Sequence, residues 1–283
     1  MAGKNTKRLP RTLVESYVRK QIRVLKSSPE KGIVKLSDMA EGLSNEQTKQ
    51  YILKRLKEML INKEGGSYRL LCHVLSTVNT EHLVTLGMNI GYNSLYAGNH
   101  PVNCPGKPLG ITPLEIDGLH YESKSTYYKK HITEGKKSGI YTWGLFMQKN
   151  IWKLIPVIQK EKDCAFLIFC PASCLTDKFL DATKTLKNLM LCIEYPSSSP
   201  ELFQKLQKRK LPYSVFVRCS DTDTSTRQTN LDSLLGNISK YYPVFTFFIT
   251  KDATEQYSNE MSEFIKKNRS PLKYPTIAVE LTI

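Results

Sequence analysis

The sequence predicts an α/β protein: a helical N-terminal domain followed by a parallel sheet that fits either a doubly wound fold or a partial β/α barrel of the (β/α)6 type. Three observations carry that expectation. Apolar residues recur at helical spacing through the first hundred positions. Residues 98–113 are rich in Gly and Pro. Beyond them, short apolar runs alternate with amphipathic stretches about six times. The expected divisions are a disordered tail at 1–10, the helical domain at 11–98, a linker at 99–113 and the barrel at 114–283.

Arg11 to Ser27 sets Leu13, Val14, Tyr17, Val18, Ile22 and Leu25 along one helix face, and Ser28-Pro29 ends it. A shorter periodic set, Ile33, Val34, Leu36, Met39 and Ala40, lies between Gly32 and Gly42. Ser44, with Gln47 three residues on, reads as a capping box for a third helix with the stripe Tyr51, Ile52, Leu56, Met59 and Leu60. Gly65-Gly66 closes that stretch. Two more helices are expected near Tyr68–Val78 and Glu81–Tyr96.

Strands are expected at Pro113–Ile116, Ile140–Phe146, Cys164–Cys170, Leu189–Tyr195, Pro212–Cys219, Val244–Thr250 and Thr276–Leu281. Helices fall between them: Ser125–Ser138 with Gly139 at C′, Trp152–Glu161 with Pro156 in its first turn, Thr176–Leu186, Pro200–Arg209, about Asn230–Lys240, and Glu255–Asn268. Continuous apolar strands alternating with helices imply a parallel sheet joined by right-handed crossovers. In such folds the C-terminal strand ends form the ligand face. Cys170, Glu194, Arg218–Cys219 and Thr250–Lys251 stand at those ends.

Composition is ordinary for a globular chain, with 40% hydrophobic and 24% charged residues. The longest apolar run, Ala165–Ala172, falls far short of the ~20 residues of a membrane span. The basic start, Met1 to Arg11, has no apolar stretch behind it, so a cytoplasmic protein is expected. Seven cysteines fit a reducing compartment, with Cys164, Cys170 and Cys192 as buried small hydrophobes. The net charge of +15 is concentrated at the start: residues 1–70 hold 16 Lys+Arg against 7 Asp+Glu. That region reads as a solvated helix face, with binding to a nucleic acid, an acidic partner or an anionic membrane surface as the alternatives. No P-loop, G-x-G-x-x-G, G-x-S-x-G or zinc-ligand spacing occurs. Asp221, Asp223 and the Ser/Thr-rich stretch to Thr229 read as a polar loop.

Several strings, in order, resemble one group of the radical S-adenosylmethionine (SAM) enzymes. They are Ser28-Pro29-Glu30-Lys31 with Leu36, Asn89-Ile90-Gly91-Tyr92-Asn93 followed by Tyr96-Ala97-Gly98, and Gly135-Lys136-Lys137-Ser138-Gly139-Ile140-Tyr141. Further on come Lys162-Asp163-Cys164-Ala165-Phe166-Leu167-Ile168-Phe169, Lys210-Leu211-Pro212-Tyr213, and Phe247-Phe248 with Lys251-Asp252-Ala253. The likeness runs over about residues 12–283 and implies a partial barrel behind a helical region.

The departures bear on function. The resembled enzymes keep C-x3-C-x2-C in the loop after strand one, where thiolates hold a four-iron–four-sulfur cluster. Here that loop reads Ile116-Asp117-Gly118-Leu119-His120-Tyr121-Glu122-Ser123-Lys124, with no cysteine; His120 and Glu122 read as solvated loop residues. The family's Gly-Gly-Glu-Pro after strand two becomes Gly144-Leu145-Phe146-Met147-Gln148. Its turn after strand three becomes Cys170-Pro171-Ala172-Ser173. What the resemblance leaves as vestigial SAM-site positions is Glu194, Gly144 and Ser173. It implies no cluster, no catalytic residue and no metal. The expectation is a pseudo-enzyme whose partner is an intact radical SAM enzyme or its peptide substrate. The alternative is a cluster-free barrel that still binds SAM through Glu194.

Overall fold

The computed structural model describes residues 10–43, 46–96, 110–219, 231–251, 254–269 and 273–283. Helices come first: α1 (Arg11–Ser27), α2 (Pro29–Leu43), α3 (Glu46–Ile61), α4 (Gly66–Thr77) and α5 (Thr80–Gly87), which runs on into a π-helical segment, Met88–Tyr96. Ser28 caps α1, its N–H donating to the Val24 carbonyl. Pro29 then opens α2 instead of only closing α1, because its fixed φ suits a first helical position. Leu25, Ile33, Leu56 and Leu75 form a small core among α1–α4.

Seven strands follow: β1 (Ile111–Glu115), β2 (Thr142–Phe146), β3 (Ala165–Cys170), β4 (Leu189–Glu194), β5 (Tyr213–Cys219), β6 (Phe245–Thr250) and β7 (Ile277–Thr282). They lie side by side in chain order, and every pairing is parallel. Sequential right-handed crossovers put the connecting helices on one face, and the sheet curls into a half-barrel. Those helices are α6 (Tyr121–Lys137), α7 (Ile155–Lys160), α8 (Asp177–Thr183), α9 (Pro200–Lys208), α10 (Leu231–Ser239) and α11 (Glu255–Arg269).

Both sheet faces are largely buried, which is why the central strands are mostly apolar, β3 without interruption. The convex face sets Trp143, Phe166, Ile168, Leu191, Val215 and Phe248 against helix residues such as Ile132, Leu180, Phe203 and Met261. The concave face carries Phe146, Phe169, Cys192, Phe216, Phe247 and Val279, and takes in Leu86 from α5. The helical region is also tied to the N-terminal strand ends. Asn89 Nδ2 donates to the carbonyls of Lys162 (2.9 Å) and Cys164 (2.8 Å), and Asn93 Nδ2 to that of Asp163 (2.7 Å).

Gly139 ends α6 with φ 86°, the left-handed geometry expected of a C′ glycine. The helix begins at Tyr121, however, four residues before the expected Ser125. Tyr121 continues the buried stripe of Tyr128 and Ile132 at spacings of seven and eleven, a signal within the sequence. The stretch expected as one helix at Trp152–Glu161 divides into a 3-10 turn, Ile151–Leu154, and α7, with Pro156 in the first turn of α7. The Ser44 cap, residues 97–98, residues 99–109 of the expected linker and the 220–230 loop lie outside the described residues. Among those described, no helix is long and apolar enough to cross a membrane.

Candidate functional site

Alternation along β2 and β4 turns Gly144 and Glu194 toward the concave face. The register then separates them. Gly144 is level with Leu167 and Met190, whereas Glu194 stands four residues farther along β4, ~13 Å nearer the C-terminal rim. A Cβ on Gly144 would lie 3.0 Å from Ile111 Cγ2 and 3.3 Å from Phe169 Cε2, so the glycine makes room for packing. Ser173 sits apart from both, exposed in the 3-10 turn Ala172–Cys174 that follows β3. The structure does not gather these three residues into one cluster.

Aromatic rings occupy the space between them. Phe169 stacks on Phe146 at 4.3 Å and meets Phe216 at 5.6 Å and Phe247 at 5.1 Å edge-on. These separations match the favoured offset and edge-to-face geometries of aromatic pairs. The rings come from β2, β3, β5 and β6, so the sheet's curl is what brings them together.

At the rim, Arg218 Nε donates to Glu194 Oε1 at 2.8 Å, and its guanidinium lies 5.4 Å from the Phe216 ring centroid. Both are the last inward-facing residues of neighbouring strands. The side chains are 46% and 25% exposed, so solvent screens the pair to a stability contribution of about 0–1 kcal/mol. Its larger effect is positional: the carboxylate expected as a ligand contact already accepts from a guanidinium.

The loop after β1 is built around Asp117. Its Oδ1 accepts from the backbone N–H groups of Leu119 and His120, and its Oδ2 meets His120 Nδ1 (2.9 Å) and Lys124 Nζ (3.2 Å). The His120 backbone N–H, then the His120 and Lys124 side chains, hold the Asp117 carboxyl well below the usual range. His120 is the N-cap residue of α6, and Glu122 lies in its first turn, where it pairs with Lys153 at 3.2 Å. Glu122 is thus helical, a correction to the expected loop. Asn150 Nδ2 donates to the Gly118 carbonyl (3.0 Å), locking this loop to the one after β2. Leu119 and Trp152 stand exposed beside that contact.

The cysteines at strand ends are packed thiols. Cys170 and Cys219 are buried on the convex side, and burial raises both, Cys219 to about 11. Cys164, also buried, is pushed up to about 12. Only the thiolate is a good metal ligand, so such groups are poor donors as they stand. Among the described residues, the one cluster of three potential ligands is Glu161, Asp163 and Cys164, at the opposite, N-terminal end of β3. Lys136 Nζ lies 3.0 Å from Glu161 and 2.8 Å from Asp163, so an ammonium already holds that position.

Sequence reasoning did not find this N-terminal assembly, which also includes Asn188. Its Nδ2 donates to the carbonyls of Ile158 (3.1 Å), Glu161 (3.1 Å) and Cys164 (3.2 Å). Lys162-Asp163 before an apolar strand gave a hint of charge there, but none of its partners. The buried His82 gave no signal either; among the described residues neither ring nitrogen has a hydrogen-bond partner of good geometry, and the Leu186 backbone favours its protonated form less than burial disfavours it. No family model matches the chain, and no curated protein matches it.

Proposed function

We propose that the chain is a radical-SAM-like half-barrel, fronted by a helical N-terminal domain, that holds no iron–sulfur cluster and works as a non-catalytic scaffold binding a partner. One observation carries the reading. The loop after β1, where the resembled enzymes keep three cysteines, is taken up by Asp117 and the first turn of α6, and no cysteine occurs between Cys104 and Cys164. An iron–sulfur cluster is held by cysteine thiolates that ligate its individual irons. Two features support the reading further. The strands run in sequential parallel order, as a partial β/α barrel requires. Phenylalanine rings fill the concave face where a cofactor would otherwise lie. The partner expected from the resemblance is an intact radical SAM enzyme or its peptide substrate.

Anaerobic reconstitution with iron and sulfide, followed by iron determination and visible absorption, tests this. The expected result is iron far below one cluster per chain and no charge-transfer absorption. Stoichiometric iron with such absorption overturns the proposal. A second reading, SAM binding at the rim, draws on the concave orientation of Glu194. Calorimetric titration with SAM decides it. On the leading reading no heat appears, and wild type and Glu194→Gln behave alike.

A further inference from the structure

The exposed face of α3 combines apolar anchors with uncompensated positive charge. Leu56 faces the small helical core, with Met59 and Leu60 packed against it. The opposite side presents Gln50, Leu53, Lys54, Lys57, Glu58 and Ile61, which line an open recess of about 400 Å3. Their spacings of three, four, seven, eight and eleven are those of a single helix stripe. Ile61 is 86% exposed, the most exposed large hydrophobic among the described residues. Leu53 and Ile61 lie eight residues apart, ~12 Å along the axis, with Lys54 and Lys57 between them.

The helices α1–α4 are cationic as a group. Among the described residues, Lys20, Arg23, Lys31, Lys35, Lys54, Lys57 and Arg69 of α1–α4 belong to no ion pair with a described carboxylate. Nearby, Glu30 is already engaged by Lys63 at 2.6 Å. Lys54 and Lys57, which line the recess, are among these cations, so no described carboxylate neutralises them in an ion pair.

We propose that this face of α3 docks an acidic amphipathic helix of a partner protein. Two apolar side chains of that helix would pack against Leu53 and Ile61, with its flanking carboxylates on Lys54 and Lys57. The inference rests on the partner-binding reading above and names the surface and the chemistry of the partner. A second copy of this chain brings a net charge of +15 to a positive surface. Residues 1–9 carry Lys4, Lys7 and Arg8 and no acid, so they do not complement it either. A bilayer would have to take in Gln50 and Glu58 from the same stripe to reach the two apolar residues. A nucleic acid would find no aromatic platform among the six lining residues.

The test uses the full chain and a fluorescein-labelled helical peptide carrying Leu at seven- and eight-residue spacings and Glu beside them, read by fluorescence anisotropy. Saturable binding is expected. It should weaken about tenfold or more in Ile61→Asp and in the double variant Lys54→Glu/Lys57→Glu. It should also weaken severalfold on raising the salt from about 0.1 to 0.5 M. A matched peptide with Lys in place of Glu should not bind. The substitutions lie at exposed positions, and unchanged circular dichroism and urea midpoints confirm an intact fold. No binding at millimolar peptide overturns the proposal, as does binding indifferent to Ile61→Asp. So does an Ile61-dependent preference for phosphatidylglycerol vesicles or for a single-stranded oligonucleotide over the peptide. Failure here with iron-free protein removes this surface and leaves the cluster-free reading standing. Iron incorporation removes that reading and leaves the peptide result intact.

Discussion

The two ends of the half-barrel are built on opposite principles. At the N-terminal strand ends, buried amides close the structure: Asn188 serves three carbonyls, Asn89 two, and Arg11 Nη2 donates to Asn89 Oδ1 at 2.9 Å, tying α1 into the same network. Lys136 joins two carboxylates beside them. At the C-terminal ends the Glu194–Arg218 pair is partly exposed and screened by water, and Leu119 and Trp152 project into solvent. The difference teaches where this fold stores its stability. A buried polar group left without its partner costs far more than a solvated pair gains. Substitutions at the rim are thus expected to cost less than substitutions at the opposite end.

Four measurements break or sharpen that contrast, each by urea unfolding followed with circular dichroism. The largest effect is expected between the two ends. Phe169→Ala removes the ring at the centre of the concave cluster and should cost about 4 kcal/mol through lost transfer energy and the cavity left behind. A cost near 1 kcal/mol would mean that the concave face is not packed as described.

Next is the pH response of His82. Burial, aided by Lys187, lowers this imidazole to about 4 from its ordinary 6.5. Above pH 6.5 neither state is charged, and the group is neutral to folding. Between 6.5 and about 4 the unfolded chain takes up a proton that the native protein refuses. Stability therefore falls with decreasing pH, by about 3 kcal/mol in all. His82→Leu should flatten that part of the profile; an unchanged slope would count against the buried imidazole.

Asn188→Ala should cost about 2–3 kcal/mol, because three carbonyls lose a buried donor. The smallest effects belong to the rim. Arg218→Ala and Trp152→Ala should each change stability by less than about 1 kcal/mol. Rim variants as costly as Asn188→Ala would erase the distinction between the ends.

Much of the secondary structure was legible in the sequence, for a local reason. Cys164–Cys170 reads as a strand because both sheet faces are buried and no polar residue interrupts it, and Val244–Thr250 because only β-branched Thr246 does. Gly139 marked the end of a helix because a left-handed C′ position favours glycine. The start of α6 lies four residues before the expected Ser125, because the Asp117 side chain that accepts from the Leu119 and His120 backbone N–H groups gives no periodic signal.

By itself, the sequence determined an α/β chain of alternating strands and helices with its positive charge at the front, since periodicity and charge are properties of neighbouring residues. Only the tertiary structure decided which groups meet. Strand register placed Gly144 and Glu194 ~13 Å apart along the strands. The curl of the sheet stacked Phe146 on Phe169 and set Phe247 against them. Asn89 reaches the Cys164 carbonyl across 75 positions of the chain. Such contacts depend on how distant segments pack, and no local pattern encodes them.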